Sequence, residues 1–168
     1  LNNHWSPFEM VSICLEINTT RDIARQILRH RSFSFQEFSQ RYAVADLGFE
    51  VREARLQDKI NRQNSLETED FELKSKWEQI QNEVREKTTQ AYNWAISNGI
   101  AKEQARAVLP EGNTMSRLYV NGTLRSWIHY IQLRSGNGTQ KEHREIAIEC
   151  ANVISPIFPL ISQFVSVN

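Results

Sequence analysis

Arg29-His30-Arg31-Ser32-Phe33-Ser34-Phe35-Gln36-Glu37-Phe38-Ser39-Gln40-Arg41-Tyr42 is the densest run of chemistry in the chain. What precedes it says how it is held. Ile23, Ala24, Ile27 and Leu28 recur at helical spacing and predict a helix over about 21–29, with Thr20 placed to cap it. Before that, Val11, Ile13, Leu15 and Ile17 alternate with Ser12, Cys14 and Glu16, the period of a half-buried strand over 10–17. A strand therefore feeds a helix, and the helix opens into Arg29-His30-Arg31. Guanidinium groups grip phosphate with two bonds and aromatics stack on flat rings, so the segment suits a phosphorylated ligand carrying a ring. A solvated basic helix end, complementing the helix dipole, accounts for the same residues equally well. An RNA-binding patch is a third reading, opposed by a net charge of zero and by the lack of an RRM or KH signature.

Working outward, residues 45–70 are polar and without sustained period, which predicts an exposed connection. A long helix over about 68–98 follows. Leu73, Trp77, Ile80, Val84, Thr88, Ala91 and Ala95 make one stripe on it, expected in a core or an interface, and Asn98-Gly99 ends it. A short helix over about 102–109 runs into the turn at Pro110-Glu111-Gly112-Asn113. Leu118-Tyr119-Val120 reads as a short strand, and Thr123 caps a helix reaching about Arg134. Thr139-Gln140-Lys141-Glu142 has the form of a capping box. It would open a last helix carrying Ile146, Cys150, Val153 and Ile154, disturbed by Pro156 and Pro159. The strands do not alternate regularly with helices, so the class is α+β, several helices around a small sheet.

Composition narrows the function. The charge balance hides a bias, because 14 of the 20 basic residues are Arg, the residue of planar two-bond recognition. Between 21 and 44 five Arg face only Asp22 and Glu37, so an anionic ligand is expected there. No apolar run approaches the ~18 residues of a membrane span, and the first residues do not read as a signal peptide. Two cysteines are too few for a disulfide scaffold, which points to a reducing compartment: the cytoplasm, or a host's cytoplasm for a viral protein.

Arg-His-Arg, seven residues, then Ser resembles the signature of the flavin-dependent thymidylate synthases (ThyX), met here by Arg29-His30-Arg31 and Ser39. Four further segments resemble the family in its order. They are His4-Trp5-Ser6-Pro7-Phe8-Glu9, Ala24-Arg25-Gln26, Ala105-Arg106 with Leu109-Pro110, and Arg125-Ser126-Trp127-Ile128-His129 leading to Arg134. The matches span residue 4 to about 150. Gln36 stands where many relatives have Asn, and Thr123 where others have an Asn near the flavin. The family usually has a further stretch before His4, so residues 1–168 are expected to be one ThyX domain lacking its N-terminal portion.

The resemblance implies a ThyX-type fold, with a small mostly antiparallel sheet flanked by several helices, and reductive methylation of dUMP to dTMP. FAD would be the cofactor, with NADPH and 5,10-methylenetetrahydrofolate as co-substrates. It implies FAD contacts from Ser6, Arg29, His30, Arg31, Glu37, Thr123, Arg125 and His129. It implies dUMP contacts from Gln26, Arg29, Glu37, Phe38, Ser39, Gln40, Arg41, Arg106 and Arg134, with Arg134 catalytic against the uracil ring. It also implies a homotetramer with active sites at subunit interfaces, and neither nucleic acid nor membrane as partner. A non-catalytic flavin- or nucleotide-binding protein of the same fold is the alternative.

Other residues carry less. Cys14 within a strand and Cys150 on an apolar stripe are expected to be inert core residues, unlike the attacking thiol of classical thymidylate synthases. His143 is expected at the surface. No His, Cys and carboxylate set has zinc spacing, so no metal is expected. Without Gly-x-Gly-x-x-Gly, a flavin has no Rossmann turn to sit on.

Overall fold

The computed structural model describes residues 4–46 and 48–166. Its centre is a three-stranded antiparallel sheet of β1 (Ser12–Thr20), β2 (Ser34–Glu37) and β5 (Met115–Thr123), in the order β1-β5-β2. Ser12 stands opposite Thr123 and Thr20 opposite Met115, while Ser34 faces Asn121 and Glu37 faces Leu118. Two of these strands run longer than periodicity marked. β1 extends to Thr20 rather than ending at 17, and β5 has nine residues instead of three. Asn18-Thr19-Thr20 is polar, yet its backbone stays paired to β5 and Thr19 and Thr20 are buried.

Three helices cover one face of this sheet: α1 (Arg21–Ile27), α4 (Leu124–Arg134) and α5 (Lys141–Ile154). Trp127, Tyr130 and Ile131 of α4 meet Ile23 and Ile27 of α1, Leu118 and Val120 of β5, and Ala147, Cys150 and Ile154 of α5 in one core. The other face is polar: the Tyr119 hydroxyl donates to Glu16 at 2.8 Å and Arg117 to Asn18 at 2.9 Å. An antiparallel sheet with one wet face shows this in–out alternation. The same alternation places Cys14 outward with Ser12, Glu16 and Asn18, so Cys14 is exposed and only Cys150 belongs to the core.

Thr123 caps α4 as its sequence predicts, its hydroxyl accepting from the Ser126 amide at 3.2 Å. The capping box at Thr139 does not form. α5 starts at Lys141 with no side-chain cap, and Glu142 turns away to Arg52 and Arg55, whose two cations outcompete a single backbone amide. Val153 is exposed, and the buried line on α5 is His143, Ala147, Cys150, Ala151 and Ile154. His143, expected at the surface, has no exposure at all.

Residues 45–70 are more ordered than their polarity suggests. Phe49 bridges Thr114, and β3 (Arg55–Gln57) pairs with β4 (Ser65–Glu67) in a hairpin. Gln81, buried on the long helix, accepts from the Arg52 amide and donates to the Arg52 carbonyl, each at 2.8 Å. The segment is fixed by polar bonds rather than by apolar burial, which a hydrophobic pattern does not register. The long helix, α2 (Phe71–Ser97), is capped by Asp70, and Gly99 follows it at φ 76°. It touches the chain through Tyr92 and Ala95, which pack on Ala105 of the short α3 (Lys102–Ala105). Its stripe of Leu73, Trp77, Ile80 and Val84 is not core: each is 40–41 % exposed.

Candidate active site

α1 ends at Ile27, and the turn after it is closed by the His30 amide on the Ile27 carbonyl at 3.0 Å. That turn sends Arg29 and Arg31 into solvent and His30 inward. The His30 ring stands edge-on to Tyr130 with centroids 4.9 Å apart, and near Phe33 and His143. From the last position of α4, the Arg134 Nε donates to His30 Nε2 at 2.9 Å. A ring nitrogen that accepts is unprotonated, so His30 carries its proton on Nδ1. Burial first, and the Arg134 charge second, push the His30 pKa down to about 4. His30 is therefore neutral at pH 7 and orients Arg134 by one bond, leaving both terminal guanidinium nitrogens without a carboxylate among the described residues.

Beside this pair lies a hollow of about 400 Å³ lined by Trp5, Ser32, Arg125, Ser126, His129 and Gln132, with Glu9 and Ile128. On α4, residues 125, 129 and 132 share the face opposite buried Trp127 and Tyr130, so they point out together. Ser6 lies in the 3-10 turn Ser6–Met10 next to Trp5 and is exposed. Arg125 is held by Glu9 at 2.9 Å. Arg29 and Arg31 have no acidic partner among the described residues, so two cations stand uncompensated in the turn after α1. A second hollow, about 440 Å³ between β1 and α5, is lined by Glu142, Glu145 and Glu149, whose charges would repel phosphate.

The remaining expected residues form a separate group. The Glu37 carboxylate accepts from Arg21 at 3.3 Å and from the Ser116 hydroxyl at 2.8 Å. Phe38 and Ser39 lead from β2 into a turn in which the Tyr42 amide donates to the Ser39 carbonyl. Gln40 is buried there with its side-chain nitrogen unpartnered, and Arg41 lies 3.9 Å from Glu103. Arg106 donates to the Glu103 carbonyl at 3.3 Å. Arg21 opens α1 and His30 follows its end, and a seven-residue helix spans about 10 Å. Among the described residues, no hydrogen bond or ion pair joins the Glu37–Arg41 and Arg106 group to Arg134.

This geometry has relatives. The sequence pattern of the family described as thymidylate synthase complementing protein matches residues 1–160. The chain belongs to that family. A flavin-dependent thymidylate synthase of Synechocystis sp. is 55 % identical over 159 residues, covering 95 % of this chain and 73 % of that protein. A probable flavin-dependent thymidylate synthase of Paramecium bursaria Chlorella virus 1 is 46 % identical over 162 residues, covering 96 % and 74 %. The crystal structure of a UMP/dUMP methylase, PolB, from Streptomyces cacaoi bound with 5-Br UMP superposes with a TM-score of 0.85. It is 25 % identical and covers 96 % of this chain and 75 % of that one. The fold is thus the ThyX fold.

What sequence reading missed at this ThyX site is the support beneath it. Tyr130 lies one turn before Arg134 on α4, a spacing that puts both on one side of the helix. His143 sits in a line with Ala147 and Cys150 at helical spacing, which marks a buried face. Gln140 and Glu142 left no pattern; only their hydrogen bonds reveal them.

Proposed function

We propose that the face built from Arg29, His30, Arg31 and Arg134 is where this chain, a flavin-dependent thymidylate synthase, brings FAD and dUMP together. The observation that carries the reading is the His30–Arg134 hydrogen bond, which joins the signature to the expected catalytic Arg across 104 residues of sequence. The residues present suit a flavin dinucleotide. Its pyrophosphate needs cations; Arg29 and Arg31 have no acidic partner among the described residues, and Ser32, next in the chain, lines the hollow with Arg125 and His129. When bound, FAD reduced by NADPH supplies hydride, and 5,10-methylenetetrahydrofolate supplies the carbon.

The protein's part is electrostatic. Methylation at C5 of uracil requires that carbon to become electron-rich, which places negative charge on N3 and O4. Arg134 stays protonated at any working pH and can hold that charge with its terminal nitrogens, since His30 engages only Nε. A preorganised donor of this kind contributes roughly 3 kcal/mol to lowering the barrier. Gln26 and Arg29 would flank the pyrimidine and its phosphate on the same side.

Ser39, Gln40, Arg41 and Arg106 complete the dUMP site in our reading, but from a second subunit, because they stand apart from Arg134 within one chain. The half-exposed stripe of α2 fits such an assembly, a homotetramer with its sites at interfaces. Gln40, buried with a free amide nitrogen, fits a role toward a ligand. We place the protein in the cytoplasm, where its cysteines would stay reduced.

Titrating dUMP into FAD-loaded protein while following flavin absorption tests the site. A saturable spectral change in the native protein, weakened at least tenfold by Arg29→Ala, supports the reading. A flavin spectrum indifferent to dUMP contradicts it.

A further inference from the structure

Behind the proposed nucleotide site runs a line of buried and half-buried polar side chains whose hydrogen bonds all point one way. It begins at Glu142, whose carboxylate lies against the guanidinium groups of Arg55 and Arg52. Between two such cations a carboxylate can only accept. The Gln140 side-chain nitrogen must therefore donate to it, at 2.9 Å, which leaves the Gln140 oxygen to accept from the Gln26 nitrogen at 2.8 Å. The Gln26 oxygen then faces His143 Nδ1 at 3.2 Å, so that nitrogen carries the ring proton. His143 Nε2 is left as acceptor, and the Tyr130 hydroxyl, 3.1 Å away, donates to it. One charged end thus fixes two amide orientations and one tautomer. The line holds because its inner end does not ionise: burial keeps the Tyr130 hydroxyl protonated and pushes the His143 pKa down to about 3. A chain of donors aligned in one direction also strengthens each of its bonds.

We propose that Gln140, oriented by Glu142, and His143 are positioning residues that together hold the Gln26 amide in one direction and so make the site select uracil over cytosine. The inference rests on the reading that Gln26 meets the pyrimidine. With one N–H and one lone pair spent on Gln140 and His143, Gln26 has one of each left, in a fixed order. Uracil offers a donor at N3 and an acceptor at O4; cytosine offers an acceptor at N3 and a donor at N4. An amide free to turn over could satisfy either ring, whereas an amide held in one direction matches only one. A wrong match leaves buried polar groups unpaired, the strongest kind of discrimination a site can make.

The test combines a spectroscopic and a binding readout on the FAD-loaded protein. With histidine labelled in both ring nitrogens, NMR should show His143 protonated on Nδ1 and unprotonated on Nε2. In Glu142→Gln, where the end of the line can donate as well as accept, the population of that tautomer should fall. The double variant Gln140→Leu, His143→Phe keeps the volume filled but removes both partners of the Gln26 amide and so releases it. It should raise the KM for dUMP about tenfold with a smaller change in kcat, leave FAD affinity intact, and cut the preference for dUMP over dCMP by a similar factor. Tyr130→Phe keeps the core filled and should give a milder shift in the same direction. A native His143 protonated on Nε2 would overturn the inference, as would variants that fold, bind FAD and keep the native nucleotide preference. Native protein that binds no dUMP would instead overturn the assignment of the site, and this inference with it.

Discussion

Arg134 and His30 show what one side-chain contact decides. A cation next to a neutral imidazole is directed without being neutralised, whereas a carboxylate in place of His30 would spend the charge the reaction needs. Arg134→Ala is expected to retain FAD while dTMP formation falls by about two orders of magnitude, the size of one lost preorganised donor. Steady-state turnover together with the flavin absorption of the purified variant checks both halves. Arg134→Lys should recover little, because an ammonium cannot bond His30 and reach the ring with separate nitrogens. Sequence alone named Arg29, His30, Arg31 and Arg134 through an ordered resemblance, and the fold places His30 against Arg134. The supporting Tyr130, His143 and Gln140 were not legible, because burial of a polar residue depends on partners distant in the chain.

At the scale of elements, β5 is the member on which the others depend, pairing with both β1 and β2 before it turns into α4. Gly122 shows how tightly this junction is packed: a Cβ there would run into the Phe33 ring. Phe33 in turn stacks on Trp127 at 4.6 Å, under the turn that carries Arg29–Arg31. Gly122→Ala should therefore lower stability by roughly 1–3 kcal/mol, read by urea denaturation, with no change at an exposed glycine such as Gly138. The stripe of α2 makes the opposite case, apolar side chains that this chain does not cover. Trp77→Glu is expected to leave helix content unchanged and to reduce the sedimenting mass; an unchanged mass would remove α2 from the interface. Periodicity found α2, because 27 residues repeat its signal many times. It failed for β3 and β4, each three residues long, whose place is set by Arg52, Gln81 and the ion pairs of Arg55.

The whole molecule buries two histidines in their neutral forms, and this gives its stability a pH dependence of definite sign. In the unfolded chain both would titrate near 6.5, whereas in the fold they bind a proton only near pH 4 for His30 and near 3 for His143. Between those limits the unfolded state holds more protons, so stability falls as pH drops from about 6.5 toward 4. Denaturation midpoints at pH 7 and pH 5 should show the loss, and His143→Phe should make the slope shallower. A midpoint that rises on acidification would contradict the buried, neutral pair. The α+β class was legible from pattern and turn residues, and the antiparallel sheet only through the resemblance to the family. The assignment of each expected ligand residue to one of two separated groups was not, since it depends on how α1 spaces Arg21 from His30.

The central claim is that this chain makes dTMP from dUMP at a flavin site built around His30 and Arg134. Anaerobic turnover of the purified protein with FAD, NADPH, dUMP and 5,10-methylenetetrahydrofolate, assayed for dTMP, tests it most directly. The account predicts dTMP formation that requires added FAD and falls about a hundredfold in Arg134→Ala. A folded protein that binds FAD and dUMP yet forms no dTMP would contradict it, and would leave a binding protein on the same fold.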